Sequence, residues 1–234
     1  MLLAAAIGLL ASTTVVAQNK KAETIEGNGK LVTRDVPVHS FSALKASGVY
    51  ELKLTQGSKE GVKIEADENL QELFTVANDG SQLVIDMKKM ENKNLKSKNK
   101  MRVHVTFKNL KTLDIRMVGN VSAENQLAFE DVQIKNSSVG NVDLDLTAQK
   151  INLENRSVGN VKLNGKAQDA VFVNNGVGNI NAGNFVVQTM DIENSGVGNA
   201  EVNAAKGLKV KDSFMGKVKN KGAATARKLN KVVI

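Results

Sequence analysis

The sequence predicts an all-β chain folded as a right-handed parallel β-helix, a solenoid of ~20-residue coils behind an irregular N-terminal β cap. Three observations carry this expectation. Val-Gly-Asn recurs at Val118-Gly119-Asn120, Val139-Gly140-Asn141, Val158-Gly159-Asn160, Val177-Gly178-Asn179 and Val197-Gly198-Asn199, spaced by 21, 19, 19 and 20 residues, and decays 18 residues later to Met215-Gly216-Lys217. Aligned on the Asn, apolar columns stand seven residues before it (Leu113, Ile134, Leu153, Phe172, Ile192, Val210), two before it (the Val/Met column), one after it (Val121, Val142, Val161, Ile180, Ala200, Val218) and three after it (Ala123, Leu144, Leu163, Ala182, Val202). Finally, the apolar residues alternate with period two in short pieces, and no stretch of the repeats carries a helical period. A ~20-residue unit of short strands cannot bury a face alone and must stack on its neighbours. A leucine-rich repeat shares the period but needs a Leu-x-x-Leu-x-Leu frame that these units lack. On this reading Val158→Asp and Leu153→Asp should each unfold the chain by burying a charge in a stacked core.

The elements follow in chain order. Residues 1–17, MLLAAAIGLLASTTVVA, form an uncharged apolar run ending in Val15-Val16-Ala17. The run satisfies the small-residue rule for signal-peptidase cleavage and predicts a signal peptide with Gln18 as the new N-terminus, although a basic leading region is missing. It is shorter than the ~20 residues a spanning helix needs, and no later stretch is apolar enough to cross a bilayer. The chain contains no Cys and only His39 and His104. Lipidation at a cleavage-site Cys, disulfides, thiolate metal sites and Cys nucleophiles are therefore excluded, and no metal or cofactor is called for. The predicted address is export: periplasmic, associated with the outer surface, or secreted.

Residues 18–108 read as irregular β coils and a cap, residues 109–234 as regular coils, and 18–234 as one continuous domain. Alternating segments begin at Val49, Val62, Leu83 and Met101, each bounded by Gly, Asn or Asp. Asp67 to Phe74 is the one candidate helix, a short one capped by Asp67. Ala46-Ser47-Gly48-Val49 resembles a degenerate corner of the later repeats. Terminal units of a solenoid must blunt their exposed strand edges, which accounts for the irregularity of this half.

Gly and Asn tolerate positive φ, so Gly119, Asn120, Gly140, Asn141, Gly159, Asn160, Gly178, Asn179, Gly198 and Asn199 are read as turn residues at one corner of every coil. Five residues before each corner Asn lies a second amide column, Asn136, Asn155, Asn174 and Asn194, ending at Asp212. Equivalent side chains of stacked coils sit ~4.8 Å apart, which predicts an amide hydrogen-bond ladder. Calcium-binding β-helix repeats need an Asp in every turn, where this chain supplies a neutral amide.

The order of features resembles the auto-transporter adhesin, head GIN domain family of Gram-negative bacteria, especially Bacteroidetes. The residues that carry the resemblance are Phe41 to Gly57 (FSALKASGVYELKLTQG), Val62 to Leu70 (VKIEADENL), Leu83-Val84-Ile85 and the coils that follow, together spanning roughly Val36 to Val218. The resemblance implies an exported single-domain β-helix and surface attachment or carbohydrate binding, with no catalytic residues to carry over. The corners read Val-Gly-Asn where relatives often read Ser-Gly-Asn, and Lys217 replaces the last Asn; both differences concern turns.

Parallel β-helices also host enzymes that cleave acidic polysaccharides, using carboxylates grouped on adjacent coils beside a cation. The one constellation of that kind is Glu124, Asp143 and Asp145, with Lys162 one coil on. Against it stands the solvated face of alternating charge and amide that keeps a flat β surface soluble. Charge is distributed unevenly: of the formal +8, residues 88–102 carry seven cations against Glu91 and residues 206–231 carry nine against Asp212, leaving −6 for the remainder. The first segment reads as a solvated loop whose Lys88, Lys89, Lys93, Lys96, Lys98, Lys100 and Arg102 are the candidate binding residues for a polyanion. Eight aromatics in 234 residues, with export, argue against nucleic acid. The expectation is a non-catalytic binding or adhesion protein of the cell envelope or surface that engages glycans or anionic surface polymers. A polysaccharide lyase or hydrolase and a self-assembling envelope scaffold are the alternatives, and a protein partner or a homo-oligomer is compatible with either end of that range.

Overall fold

The computed structural model describes residues 23–88, 93–213 and 215–229. The predicted signal peptide, Lys89 and Lys231 lie outside the described residues. Eighteen strands are present among the described residues. They are β1 (Glu23–Glu26), β2 (Leu31–Val36), β3 (Ala43–Val49), β4 (Glu51–Gln56), β5 (Gly61–Asp67), β6 (Phe74–Asp79), β7 (Gln82–Met87), β8 (Lys93–Lys96) and β9 (Arg102–Phe107), then β10 (Thr112–Val118), β11 (Val121–Ala123), β12 (Leu127–Asn136), β13 (Val142–Asn155), β14 (Val161–Asn174), β15 (Ile180–Asn194), β16 (Ala200–Asp212), β17 (Val218–Asn220) and β18 (Ala226–Lys228).

From β10 onward the chain is a solenoid of stacked parallel coils, about six turns in all. In-register pairing places Leu113, Ile134, Leu153, Phe172, Ile192 and Val210 in one inward column and Val121, Val142, Val161, Ile180, Ala200 and Val218 in another. All but the half-buried Val218 are at most 3 % exposed. Within β13 the inward set runs Val142, Leu144, Leu146 and then Ile151, Leu153, Asn155. The odd gap between Leu146 and Ile151 is where the strand bends from one face of the coil to the next.

The N-terminal half contributes two further coils, stacked out of chain order. β3 and β4 lie directly beneath β10 and β11, with Val49 opposite Val118 and Leu52 opposite Val121. β7 and β9 lie beneath β3 and β4 in turn, again parallel. The open face of that lowest coil is closed by antiparallel strands: β6 on β7, β5 on β9, and β2 on β5. This is the physical form of the cap, since antiparallel hairpin strands end a parallel stack without exposing a ladder edge that another coil could extend.

The predicted short helix is a 3-10 helix, Glu68–Leu73, and Asp67 does not cap it. The fully buried Asp67 carboxylate instead accepts from the Ser97 hydroxyl (3.1 Å), the Lys98 amide (2.8 Å) and the Asn99 amide and side chain. A Cβ on Gly27 would fall 1.8 Å from that carboxylate, so Gly27 crosses directly over it. A sequence-distant loop thus wins the carboxylate from the local helix terminus.

Candidate functional site

Each coil turns at the Val-Gly-Asn corner. Gly119, Gly140, Gly159, Gly178 and Gly198 have φ between 127° and 144°. A Cβ on any of them would come within 2.0–2.3 Å of a carbonyl oxygen of the preceding coil, so only Gly lets the coils stack here. The corner Asn side chains act by hydrogen bonding. The Oδ1 of Asn120 accepts from the Asn141 backbone N–H, and Asn141, Asn160 and Asn179 repeat this to the next coil, each at 2.9 Å.

The second amide column is buried and bonds side chain to side chain. Asn136 Nδ2 donates to Asn155 Oδ1 (2.8 Å), Asn155 to Asn174 (2.7 Å) and Asn174 to Asn194 (2.6 Å), while Asn194 donates to the Gly198 carbonyl oxygen (3.1 Å). Ser138 and Ser157, also buried, donate their hydroxyls to Asn136 and Asn155. Replacing Asn155 by Leu would strand the Asn136 amide and the Ser157 hydroxyl inside the core and leave the Asn174 oxygen with the Gly176 N–H alone. Asn155→Leu is expected to cost about 3 kcal/mol or more, read as a lower midpoint of urea unfolding with unchanged slope.

The Val column corrects the sequence reading. Val118, Val139, Val158, Val177 and Val197 are 45–53 % exposed and point away from the core, as do Val49 and Met215 of the flanking coils. Isolated parallel bridges join the five repeat valines in register. The Ser or Gly one residue earlier, Ser138, Ser157, Gly176 and Gly196, is the buried one. The expectation that Val158→Asp unfolds the chain is therefore withdrawn; that for Leu153, 2 % exposed, stands on its burial.

The basic segment is not the solvated loop the sequence predicts. Lys93–Lys96 is a strand paired in parallel with Glu23–Glu26, forming a two-stranded ribbon beside the cap. Its cations are met by carboxylates from distant sequence: Lys93 by Glu23 (2.8 Å), Lys96 and Lys98 by Glu26 (3.6 and 3.9 Å), Lys100 by Glu51 (3.4 Å), and Arg102 by both Glu51 and Glu65. Lys88 is exposed just after β7, where its backbone N–H donates to the Leu73 carbonyl oxygen. On the last coils Lys206, Lys217, Lys219 and Arg227 have no ion-pair partner among the described residues, while Lys209, Lys211, Lys221 and Lys228 pair with Asp191, Glu193, Glu201 and Asp212; further cations without such a partner, among them Lys111, Lys135, Lys150 and Lys166, are spread along the solenoid.

Burial raises the Glu51 and Asp67 carboxyls, but hydrogen bonds outweigh it. Arg102 and Lys100 hold Glu51 below its ordinary range, and Asn99, Lys98 and Ser97 do the same for Asp67. A carboxylate whose folded pKa is depressed stabilises the native state above its unfolded value and loses that stabilisation as pH falls through the folded one. Cleavage of the ribbon by a protease active in acid is therefore expected to accelerate once pH drops below ~4. Asp67→Asn should remove most of that pH dependence.

The three candidate catalytic carboxylates each engage a different partner. Asp143 and Lys162 form an ion pair across adjacent coils at 3.0 Å, both half exposed. Glu124 faces Lys53 (3.3 Å), and Asp145 accepts from Gln126 Nε2 (3.1 Å). Among the described residues no three His, Asp or Glu side chains are grouped to hold a metal ion.

An axial groove follows the bend between the coil faces, and none of those four residues lines it. A depression of about 840 Å³ is lined by Gln56, Lys111, Phe129, Asp131, Gln133 and Asn152, among others, and continues across Lys150 into a second of about 450 Å³ bordered by Asp169, Val171, Asp191 and Lys209. Parallel register makes its walls two columns. One is Thr112, Gln133, Asn152, Val171, Asp191 and Lys209; the other is Asp131, Lys150, Asp169, Thr189 and Gly207. Sequence reasoning missed it because the bend falls where the strand alternation changes phase, and only the fold shows which outward residues face each other there.

Stacked parallel coils closed by an antiparallel cap define the chain as a capped parallel β-solenoid. The chain belongs to the family described as putative auto-transporter adhesin, head GIN domain, whose model matches residues 40–224. The crystal structure of a putative adhesin from Bacteroides fragilis is 33 % identical, with a TM-score of 0.74 over 88 % of this chain and 100 % of that one. One from Parabacteroides distasonis is 20 % identical (TM-score 0.63, 88 % of this chain and 96 % of that one). A protein of the same organism described as lipid binding is 17 % identical (TM-score 0.61, 89 % and 100 %). The last two establish the shared fold alone. No curated protein matches the chain in sequence. Among the described residues no helix is long and apolar enough to cross a membrane.

Proposed function

We propose that this chain is an exported, non-catalytic adhesion protein of the cell envelope that holds an extended glycan along the axial groove. The observation that carries the reading is the groove's construction. Successive coils repeat every ~4.8 Å and present amide, hydroxyl, carboxylate and ammonium groups in two facing columns. Such mixed donors and acceptors satisfy sugar hydroxyls, and an open groove parallel to the solenoid axis admits a linear polymer. Phe129, partly buried and stacked on Phe107 at 6.1 Å between ring centroids, adds an apolar surface at one end. The unpaired cations Lys206, Lys217, Lys219 and Arg227 favour glycans with acidic substituents toward the last coils. The ion-paired cations from Lys93 to Arg102 have less free charge to offer, with the exposed Lys88 left as the remaining described contributor of that segment.

The test is a glycan array of neutral and acidic polysaccharide fragments, probed at low and physiological salt with residues 18–234, alongside assays for reducing ends and unsaturated products. Saturable binding without products, weakened at least tenfold by Asn152→Ala combined with Lys150→Ala, is the expected result. Product formation lost in Asp145→Asn would replace this reading with the enzyme.

A further inference from the structure

The Val-Gly-Asn corner carries more than the fold requires of it. Gly is demanded by the approach of the preceding coil, and Asn by the backbone N–H it receives. Nothing inside the molecule demands Val, whose side chain is about half exposed in five successive coils. Val49 (41 %) and Met215 (64 %) extend the column at either end to seven apolar side chains. At ~4.8 Å per coil the stripe is ~29 Å long. From Gly119 to Gly216 the column beside it has no side chains, so a shallow furrow runs there between the Val and Asn columns, ending at the buried Tyr50 beside Val49.

We infer that this ridge is a self-association surface whose occupant is the same ridge of a second copy of this chain. The repeat argues for that occupant, because only a stack with the same coil spacing can keep each Val seated in a gap over the full ~29 Å. Shape and charge then select the arrangement. A two-fold axis parallel to the solenoid axis drops each Val column into the partner's Gly furrow and sets Arg116 and Arg156 against Asn columns. Reversing the axes would set Val on Val and leave the Gly furrows unfilled. Three residue columns, ~10 Å wide, make a strip well short of the ~800 Å² per partner of a standard stable interface. Association is accordingly weak in free solution and gains from tethering many copies on one surface.

Sedimentation velocity of residues 18–234 from ~10 μM to ~1 mM tests the inference. Reversible dimerisation is expected, with a dissociation constant raised at least tenfold by the combined Val139→Asp, Val158→Asp and Val177→Asp substitutions while circular dichroism stays native. The Val→Thr triple at the same positions keeps the β-branched shape and serves if the Asp triple fails to fold. Because the chain has no Cys, single Val139→Cys and Val177→Cys variants report geometry: each should cross-link to its own counterpart, whereas Gln168→Cys should not. A wild type monomeric throughout, cross-linking no greater than at Gln168, or a mirror pattern joining Val118→Cys only to Val197→Cys would overturn it. Glycan binding by the monomeric triple variant separates this outcome from that of the groove.

Discussion

Leu153→Asp is expected to unfold the solenoid. Leu153 pairs in register with Ile134 below and Phe172 above, all fully enclosed, so the new carboxylate has neither water nor a cation within reach. Burying such a group costs more than ~4 kcal/mol even if it takes up a proton, against total stabilities of ~5–15 kcal/mol. The measurement is thermal unfolding by circular dichroism, with Val158→Asp as the paired control. Five residues on, Val158 lies outside, and its Asp variant should stay within ~1 kcal/mol of wild type. Equal loss in both variants would mean that the Val column is enclosed after all.

Gly159→Ala should be nearly as severe although it adds one methyl group. At φ 139° an L side chain is strained by ~1–3 kcal/mol, and the Cβ would stand 2.1 Å from the Gly140 carbonyl oxygen. That oxygen belongs to backbone fixed by its own coil, so relief requires the two coils to part and surrender core contact on both sides. The expected loss exceeds ~4 kcal/mol, or roughly 8–16 °C in Tm for a domain of this size. Gly80→Ala is the control: φ there is 58°, with no atom within 4 Å of the added Cβ, so only the conformational strain remains.

The repeat, its period and its β character were legible because stacked coils must present the same side chains to the same neighbours. The Val column was misread for a definable reason. Strict alternation from Leu153 places Asn155 and Ser157 inside and Val158 outside, but the apolar character of Val outweighed its parity. The basic segment was misread because its partners, Glu23, Glu26, Glu51 and Glu65, lie up to about 70 residues away and are assembled only in the fold, Glu23 and Glu26 by the pairing of β1 with β8 and Glu51 and Glu65 by the placing of β9 between β4 and β5. The groove depends on the same kind of information: its residues are ordinary outward polar positions until the bend in each strand turns two columns toward one another.

The two ends of the stack differ, and this gives the molecule a direction. One end is closed by three antiparallel strands, whereas the other thins to β17 and β18, three residues each. In a solenoid whose units touch only their neighbours, opening is a one-dimensional process that starts where a unit has the fewest contacts. Amide hydrogen exchange should therefore be graded along the chain, fastest at residues 218–228 and slowing coil by coil toward β3. A pull applied to the C-terminus would peel coils off in sequence and dissipate force in small steps, while the cap end, with its interleaved chain order, would resist until several strands give way together.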